Sequence, residues 1–229
     1  MLARCSGAAL VGLEARAVAV EVDIAPGLPG LQVVGLADAA VQESRQRVRA
    51  AIRNSNLRMP LTRVIVNLAP ADLRKEGPAF DLPIALAVLA ASGQLAPPQL
   101  EGIWCAGELG LGGELRPVRG AVALALAARR HGARALLLPR ANHDEAALVD
   151  QLPLAPADTL SEALQWLQHP ERIAASPPER APISGSSSTN LSDLASVQGQ
   201  LHGRRALELA AAGGHHPQSQ PTAGRCRHW

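Results

Sequence analysis

The chain has 229 residues, enough for one large domain or two small ones. Apolar residues make up 47% and charged residues 18%, the balance of a globular protein, and a net charge of +2 is too mild to announce a polyanionic partner. One Phe, no Tyr and three Trp argue against a single-strand-binding face of stacked aromatics, and the single lysine, Lys75, is followed by Glu76, so no Gly-Lys-Ser/Thr phosphate loop exists.

In chain order, Met1-Leu2-Ala3-Arg4-Cys5-Ser6 lacks the basic stretch and long apolar core of a signal peptide. Val18, Val20, Val22 and Ile24 alternate with Ala17, Ala19, Glu21 and Asp23, a half-buried strand. Gly27-Leu28-Pro29-Gly30 then reads as a turn into a second strand over 31–36, predicting a hairpin. Asp38 is placed to cap a helix running to about residue 54, with Val41, Val48 and Ile52 inward and Ser44 tolerated among them. A third strand covers 63–68 with Val64, Val66 and Leu68 on one side, and a largely apolar helix covers 81–91, with Pro83 in its first turn.

Strands at 103–111 and 114–118 are expected to meet at Gly112-Gly113 as a hairpin. A helix over 121–131 stops at Gly132, a buried strand over 135–138 stops at Pro139, and a helix covers 159–168. Together these predict an α/β (α+β) domain over 1–168. Prolines and the run Gly185-Ser186-Ser187-Ser188 mark 169–192 as a linker. A helix over 201–212 follows, in which Leu201, Leu207 and Leu209 lack a partner, and residues 217–229 carry no periodicity.

The three cysteines, Cys5, Cys105 and Cys226, are far apart and suggest a reducing compartment. The longest apolar run, 82–91, is too short to cross a bilayer, so a cytoplasmic protein without a membrane partner is expected.

Four groups invite a chemical reading. Arg45, Arg49 and Arg53 recur at i, i+4 and suit phosphate oxygens, although a solvated helix face has the same pattern. Arg47 sits four residues after Glu43, a helical ion pair. Glycines 107, 110, 112 and 113 do not keep the dinucleotide spacing and read as a hairpin. His143-Asp144-Glu145 reads as a helix start, and no histidine or cysteine group has zinc-site spacing, so no metal is expected. The densest segment is 66–83, where a strand opens into a loop with Asp72, Arg74, Lys75, Glu76 and Gly77 before Asp81 starts a helix.

That segment, with Val33-Val34-Gly35-Leu36-Ala37-Asp38-Ala39-Ala40-Val41-Gln42-Glu43-Ser44-Arg45 and Arg47-Val48-Arg49-Ala50-Ala51-Ile52, resembles the magnesium-chelatase-like AAA+ ATPases of the ComM/YifB type. The likeness runs from about residue 4 to His216. It implies a first domain with the fold of ribosomal protein S5 domain 2 and Lon-type proteases, a linker, and the opening of an ATPase module over 193–216. Val197, Gly199 and Gln200 would be an adenine-side remnant. Full-length members are ring-forming ATPases using ATP and Mg, and competence members are DNA helicases that promote branch migration.

After His216 the sequence departs from the family pattern, with no Gly-Pro-Pro-Gly-x-Gly-Lys-Thr; a frameshift would account for the change in composition. Without a phosphate loop the chain is expected neither to bind ATP tightly nor to hydrolyse it, and to hold no cofactor itself. Lon-type enzymes place their serine in Gly-Pro-Ser, where this chain has Gly77-Pro78-Ala79, and no lysine follows Arg116-Pro117-Val118-Arg119-Gly120, so acyl-enzyme chemistry is not expected. The expected role is a non-catalytic fragment that contacts DNA or copies of itself, with Arg45, Arg49 and Arg53 as contacts. The alternative is an ATPase subunit acting only when assembled with intact AAA+ modules. The family's chelatase name alone suggests porphyrin metal insertion, and no residue group here supports it.

Overall fold

The computed structural model describes residues 2–169, residue 171 and residues 201–213. Most of the expected linker, the remnant Val197, Gly199 and Gln200, and the 217–229 tail therefore lie outside the described residues. The chain divides into two units, Met1–Pro182 and Ile183–Trp229.

The first unit is built on a seven-stranded mixed sheet. Its first two strands, β1 (Leu2–Val11) and β2 (Glu14–Ala25), form a long antiparallel hairpin that turns at Gly12, where φ is +63°. Next come β3 (Gly30–Val34), α1 (Ala39–Asn54), β4 (Arg63–Ala69), α2 (Asp81–Ala91) and β5 (Ile103–Cys105). A small ribbon, β6 (Glu108–Leu109) with β7 (Leu115–Arg116), stands apart from the main sheet. The unit continues with α3 (Ala121–Arg130), β8 (Ala135–Pro139), α4 (His143–Ala146), β9 (Leu154–Ala157) and α5 (Leu160–Gln168). Strand order is β3-β4-β2-β1-β5-β8-β9. The β1–β2 and β2–β4 pairs are antiparallel and the other four are parallel.

Two expectations are corrected. The turn at 27–30 does not fold β3 back onto β2. β4 takes that place, antiparallel to β2 from Ala25 opposite Arg63 to Ala19 opposite Ala69, while β3 runs parallel to β4 at the edge. Both sides of β2 are thus occupied by β1 and β4, and α1 serves as the crossover that two parallel strands require. The expected single strand over 103–111 is two pieces. Gly107 leaves the main sheet because its N–H donates to Ala79 O (2.9 Å) and its carbonyl accepts from Leu82 N–H (3.0 Å).

Apolar residues on alternate positions give each sheet face its own core. On one face Val20, Val22, Val66 and Leu68 pack with α1, α2 and α5; on the other Trp104, Leu136 and Leu138 pack with α3 and α4. Every residue of α2 is buried, as an apolar helix without a polar side requires. In α1 the inward stripe is Val41, Ser44, Val48, Ala51 and Ile52, and Asp38 caps the helix through Val41 N–H (2.8 Å). Thr159 caps α5 through Glu162 N–H (3.1 Å). In the second unit, α6 (Leu201–Gly213) leaves Leu207 and Leu209 exposed. Among the described residues no helix is long and apolar enough to cross a membrane.

Candidate functional site

The loop between β4 and α2 is held from inside. Lys75 N–H donates to Leu36 O (3.1 Å) and Asp38 N–H donates to Lys75 O (3.0 Å), an isolated parallel bridge that ties the loop to the segment before α1. The Lys75 side chain is fully buried and its Nζ donates to the Pro70 carbonyl. Burial lowers its pKa, and nearby Asp72 opposes the shift only in part. Lys75 is therefore an internal pin, not a group offered to a ligand.

Asp38 has two tasks. Its Oδ1 caps α1, and its Oδ2 accepts Gly77 N–H (3.2 Å), which fixes the loop where Gly77 turns at φ +79°. Pro78 to Phe80 then form one 3-10 turn leading into α2.

Asp81 is fully buried, and the chain surrounds it with donors. Arg47 grips it with Nε on Oδ2 (2.6 Å) and Nη2 on Oδ1 (3.1 Å), and Leu109 N–H adds a third bond to Oδ2 (3.1 Å). Arg47 Nη2 also donates to Ala40 O (3.0 Å). Burial pushes the Asp81 carboxyl up, while Arg47 and the Leu109 amide offset part of that shift. The helical ion pair of Arg47 with Glu43 is present, and a second, closer pair joins it. Glu43 lies at 3.8 Å, and the close partner is Asp81, on another helix. The pair joins α1, α2 and β6.

Above these anchors lies a cleft of about 530 Å³. Leu10, Ala79, Val118 and Leu124 are among its apolar walls. Asp38, Glu76, Glu108 and Arg119 line it with charge. Asn142, almost wholly buried, holds one wall by accepting Val118 N–H (2.8 Å) and donating to Val118 O (2.8 Å). Among the described residues, no serine, threonine, cysteine, lysine or histidine lines the cleft. Ala79, which stands where the Lon resemblance places a nucleophile, lines it with a methyl group. The charged groups on its walls are three carboxylates and one guanidinium.

The arginine stripe occupies the outer side of α1. Arg45 and Arg53 are exposed and Arg49 is half-buried. Arg45 Nε donates to Gln42 O (2.8 Å) and Arg53 Nε to Arg49 O (3.3 Å), so both side chains lie along the helix. Among the described residues none of the three has a carboxylate partner. Elsewhere in the family-motif loop, Asp72 is exposed and Glu76 pairs with Arg74 (3.0 Å). The His143 ring lies 3.1 Å from Asp144, and among the described residues no three His, Cys, Asp or Glu come together as metal ligands.

The structure thus gathers Asp38, Glu76 and Gly77 at one cleft, sends Lys75 and Asp81 inward, and leaves Arg45, Arg49 and Arg53 on a separate surface. Sequence reasoning missed Asn142, Glu108 and Arg119. The available signal for the Arg47–Asp81 pair was Asp81 itself, an acid heading an otherwise apolar helix, which needs a cation nearby.

Residues 20–142, more than half of the chain, match the family described as subunit ChlI of Mg-chelatase. The chain belongs to this Mg-chelatase-like family, in its ComM/YifB branch. It is 43% identical over 207 residues to the protein YifB of Escherichia coli K12, covering 90% of this chain and 40% of that relative. It is 41% identical over 212 residues to the competence protein ComM of Haemophilus influenzae, covering 90% and 41%. An uncharacterised protein of Mycobacterium tuberculosis is 41% identical over 215 residues, covering 94% and 42%. The chain thus spans about two fifths of the length of these relatives. Within this family frame, the buried Arg47–Asp81 pair and the Lys75 bridge give structural roles to motif residues that sequence alone marks only as charged.

Proposed function

We propose that this chain is a non-catalytic domain of a ComM/YifB-type protein that contacts DNA through the outer face of α1. It does so in the cytoplasm, among copies of itself or beside subunits with intact AAA+ modules. The observation that carries the reading is the set of three arginines on one helix face with no carboxylate partner among the described residues, while Arg47 of the same helix is turned inward and paired. Successive stripe residues rise about 6 Å along the helix axis, a spacing that lets guanidinium groups follow one phosphate backbone. The scarcity of aromatics fits contact with phosphates better than stacking on bases.

The name of the Haemophilus relative, a competence protein, agrees with a DNA-handling role. Turnover of ATP would belong to intact modules, because these 229 residues contain no phosphate-loop lysine. Fluorescence anisotropy on a labelled duplex tests the reading. Replacing Arg45, Arg49 and Arg53 together with alanine weakens binding alike on unrelated sequences. Unchanged binding makes the stripe a solvated helix face.

A further inference from the structure

The main sheet ends on two strands that are finished differently. At one end β9 reads Leu154-Ala155-Pro156-Ala157, where Pro156 has no N–H to offer and its carbonyl accepts Trp166 Nε1–H (2.8 Å). At the other end β3 reads Gly30-Leu31-Gln32-Val33-Val34, with no proline and no charge. Gly30 N–H donates to Thr62 O (3.3 Å), toward β4, so by the alternation of a strand the N–H and C=O groups of Leu31 and Val33 point outward. Gln42 Nε2 donates to one of these, the Val33 carbonyl (3.3 Å). Among the described residues no strand takes up Leu31 N–H, Leu31 O or Val33 N–H.

The bond from Gln42 also fixes where the arginines of α1 stand. Arg45, Arg49 and Arg53 follow Gln42 at the spacing of one helix face, so the stripe lies on the side of α1 that looks over β3. As the crossover between two parallel strands, α1 runs back along β3. The stripe covers about 12 Å of helix axis beside a strand about 13 Å long. It repeats about every 6 Å, close to the roughly 6.7 Å between alternate residues of an extended chain. On the other face of the sheet Val34 is 47% exposed.

We infer that the edge of β3 accepts an extended acidic segment of a partner protein as an added strand. Its main chain pairs with Leu31 and Val33, and carboxylates at alternate positions meet Arg45, Arg49 and Arg53. The residues between them are apolar and lie beside Val34. Charge and hydrogen bonding select this occupant. β3 has no acid, so a second copy paired edge to edge would bring the arginines no partner. A nucleic-acid backbone suits the arginines but has no N–H for the Leu31 carbonyl. The added strand and a duplex use the same arginines, so the segment clears DNA from α1; the inference rests on the DNA reading for that competition alone.

Fluorescence anisotropy of the full chain with the labelled peptide Glu-Val-Glu-Val-Glu-Val-Glu tests it. The peptide binds with a dissociation constant of about 10–100 µM, and one of the same composition with its glutamates in a block binds at least about tenfold more weakly. Of two forms, N-methylated on the valines or on the glutamates, one loses at least about tenfold and the other keeps its affinity, because only one set of amides faces β3. Replacing Arg45, Arg49 and Arg53 together with alanine, on the outer side of α1 where the core is untouched, also weakens the peptide at least about tenfold. Unlabelled peptide releases a labelled duplex from the wild type. A peptide that does not bind, a blocked sequence that binds as well as the alternating one, equal behaviour of the two methylated forms, or a duplex held by the three arginines that the peptide fails to release would each overturn the inference. A duplex that stays on the triple variant and resists the peptide, while the peptide itself binds as expected, supports the added strand and counts against the DNA reading.

Discussion

Arg47→Ala removes the cation that compensates the buried Asp81 carboxylate and leaves Leu109 N–H as a close donor. Breaking a buried pair by removing one partner costs about 3–5 kcal/mol. Arg47 is itself partly solvated, with its side chain 19% exposed, so the lower end applies, about 3 kcal/mol. That is a large part of the roughly 5–15 kcal/mol that holds a domain of this size together. Asp81→Asn keeps the shape and loses the charge, and is expected to cost about 1–3 kcal/mol through the unmet bonds of Arg47. The double variant costs less than the sum of the two singles, because each single change already breaks the same pair. Urea unfolding followed by far-ultraviolet circular dichroism measures all three, with Arg45→Ala as the exposed control. An Arg47→Ala cost no larger than that of Arg45→Ala would refute the reasoning, since it would mean that the carboxylate needs no partner where it sits.

Other substitutions probe the surrounding frame. In the folded chain Lys75 binds its proton less tightly than in the unfolded one, so its contribution to stability rises with pH from its lowered folded value to the usual 10.5. The stability of the wild type relative to Lys75→Met therefore increases between neutral and alkaline pH, and a flat difference in urea titrations at several pH values argues against a buried ammonium. Gly35 sits at φ +101°, and a Cβ there would lie 2.3 Å from Leu68 O. Gly35→Ala should cost at least about 3 kcal/mol and lower the melting temperature sharply; a melting curve like that of the wild type contradicts the close approach of β3 and β4. Asn142→Ala leaves both polar groups of buried Val118 unpaired and should cost about 2–4 kcal/mol, read by urea unfolding against Asn54→Ala at an exposed position.

Local signals carried much of the fold. The Asp38 cap and the 3.6-residue spacing of Val41, Val48 and Ile52 determine α1, and the alternation of Val64, Val66 and Leu68 determines β4. β1 gave no such signal, because Gly7, Ala8 and Ala9 are all buried in succession and break the period of two. The order of β3 and β4 beside β2 was not legible either, since strand pairing is decided by which edges remain free and not by the nearest turn. At the site, charge density marked a loop whose Glu76 and Gly77 line the cleft. Whether each charge faces solvent, a cleft or a buried partner depends on contacts between residues 34 positions apart, as with Arg47 and Asp81, or 24 apart, as with Asn142 and Val118.

The central claim is that Arg45, Arg49 and Arg53 of α1 hold a phosphate backbone. The most direct measurement is the salt dependence of duplex binding for the wild type and for the variant with Arg45, Arg49 and Arg53 all replaced by alanine. If each arginine neutralises one phosphate, the slope of log affinity against log salt becomes shallower by about 2.7. An identical slope and affinity for the two proteins would contradict the claim.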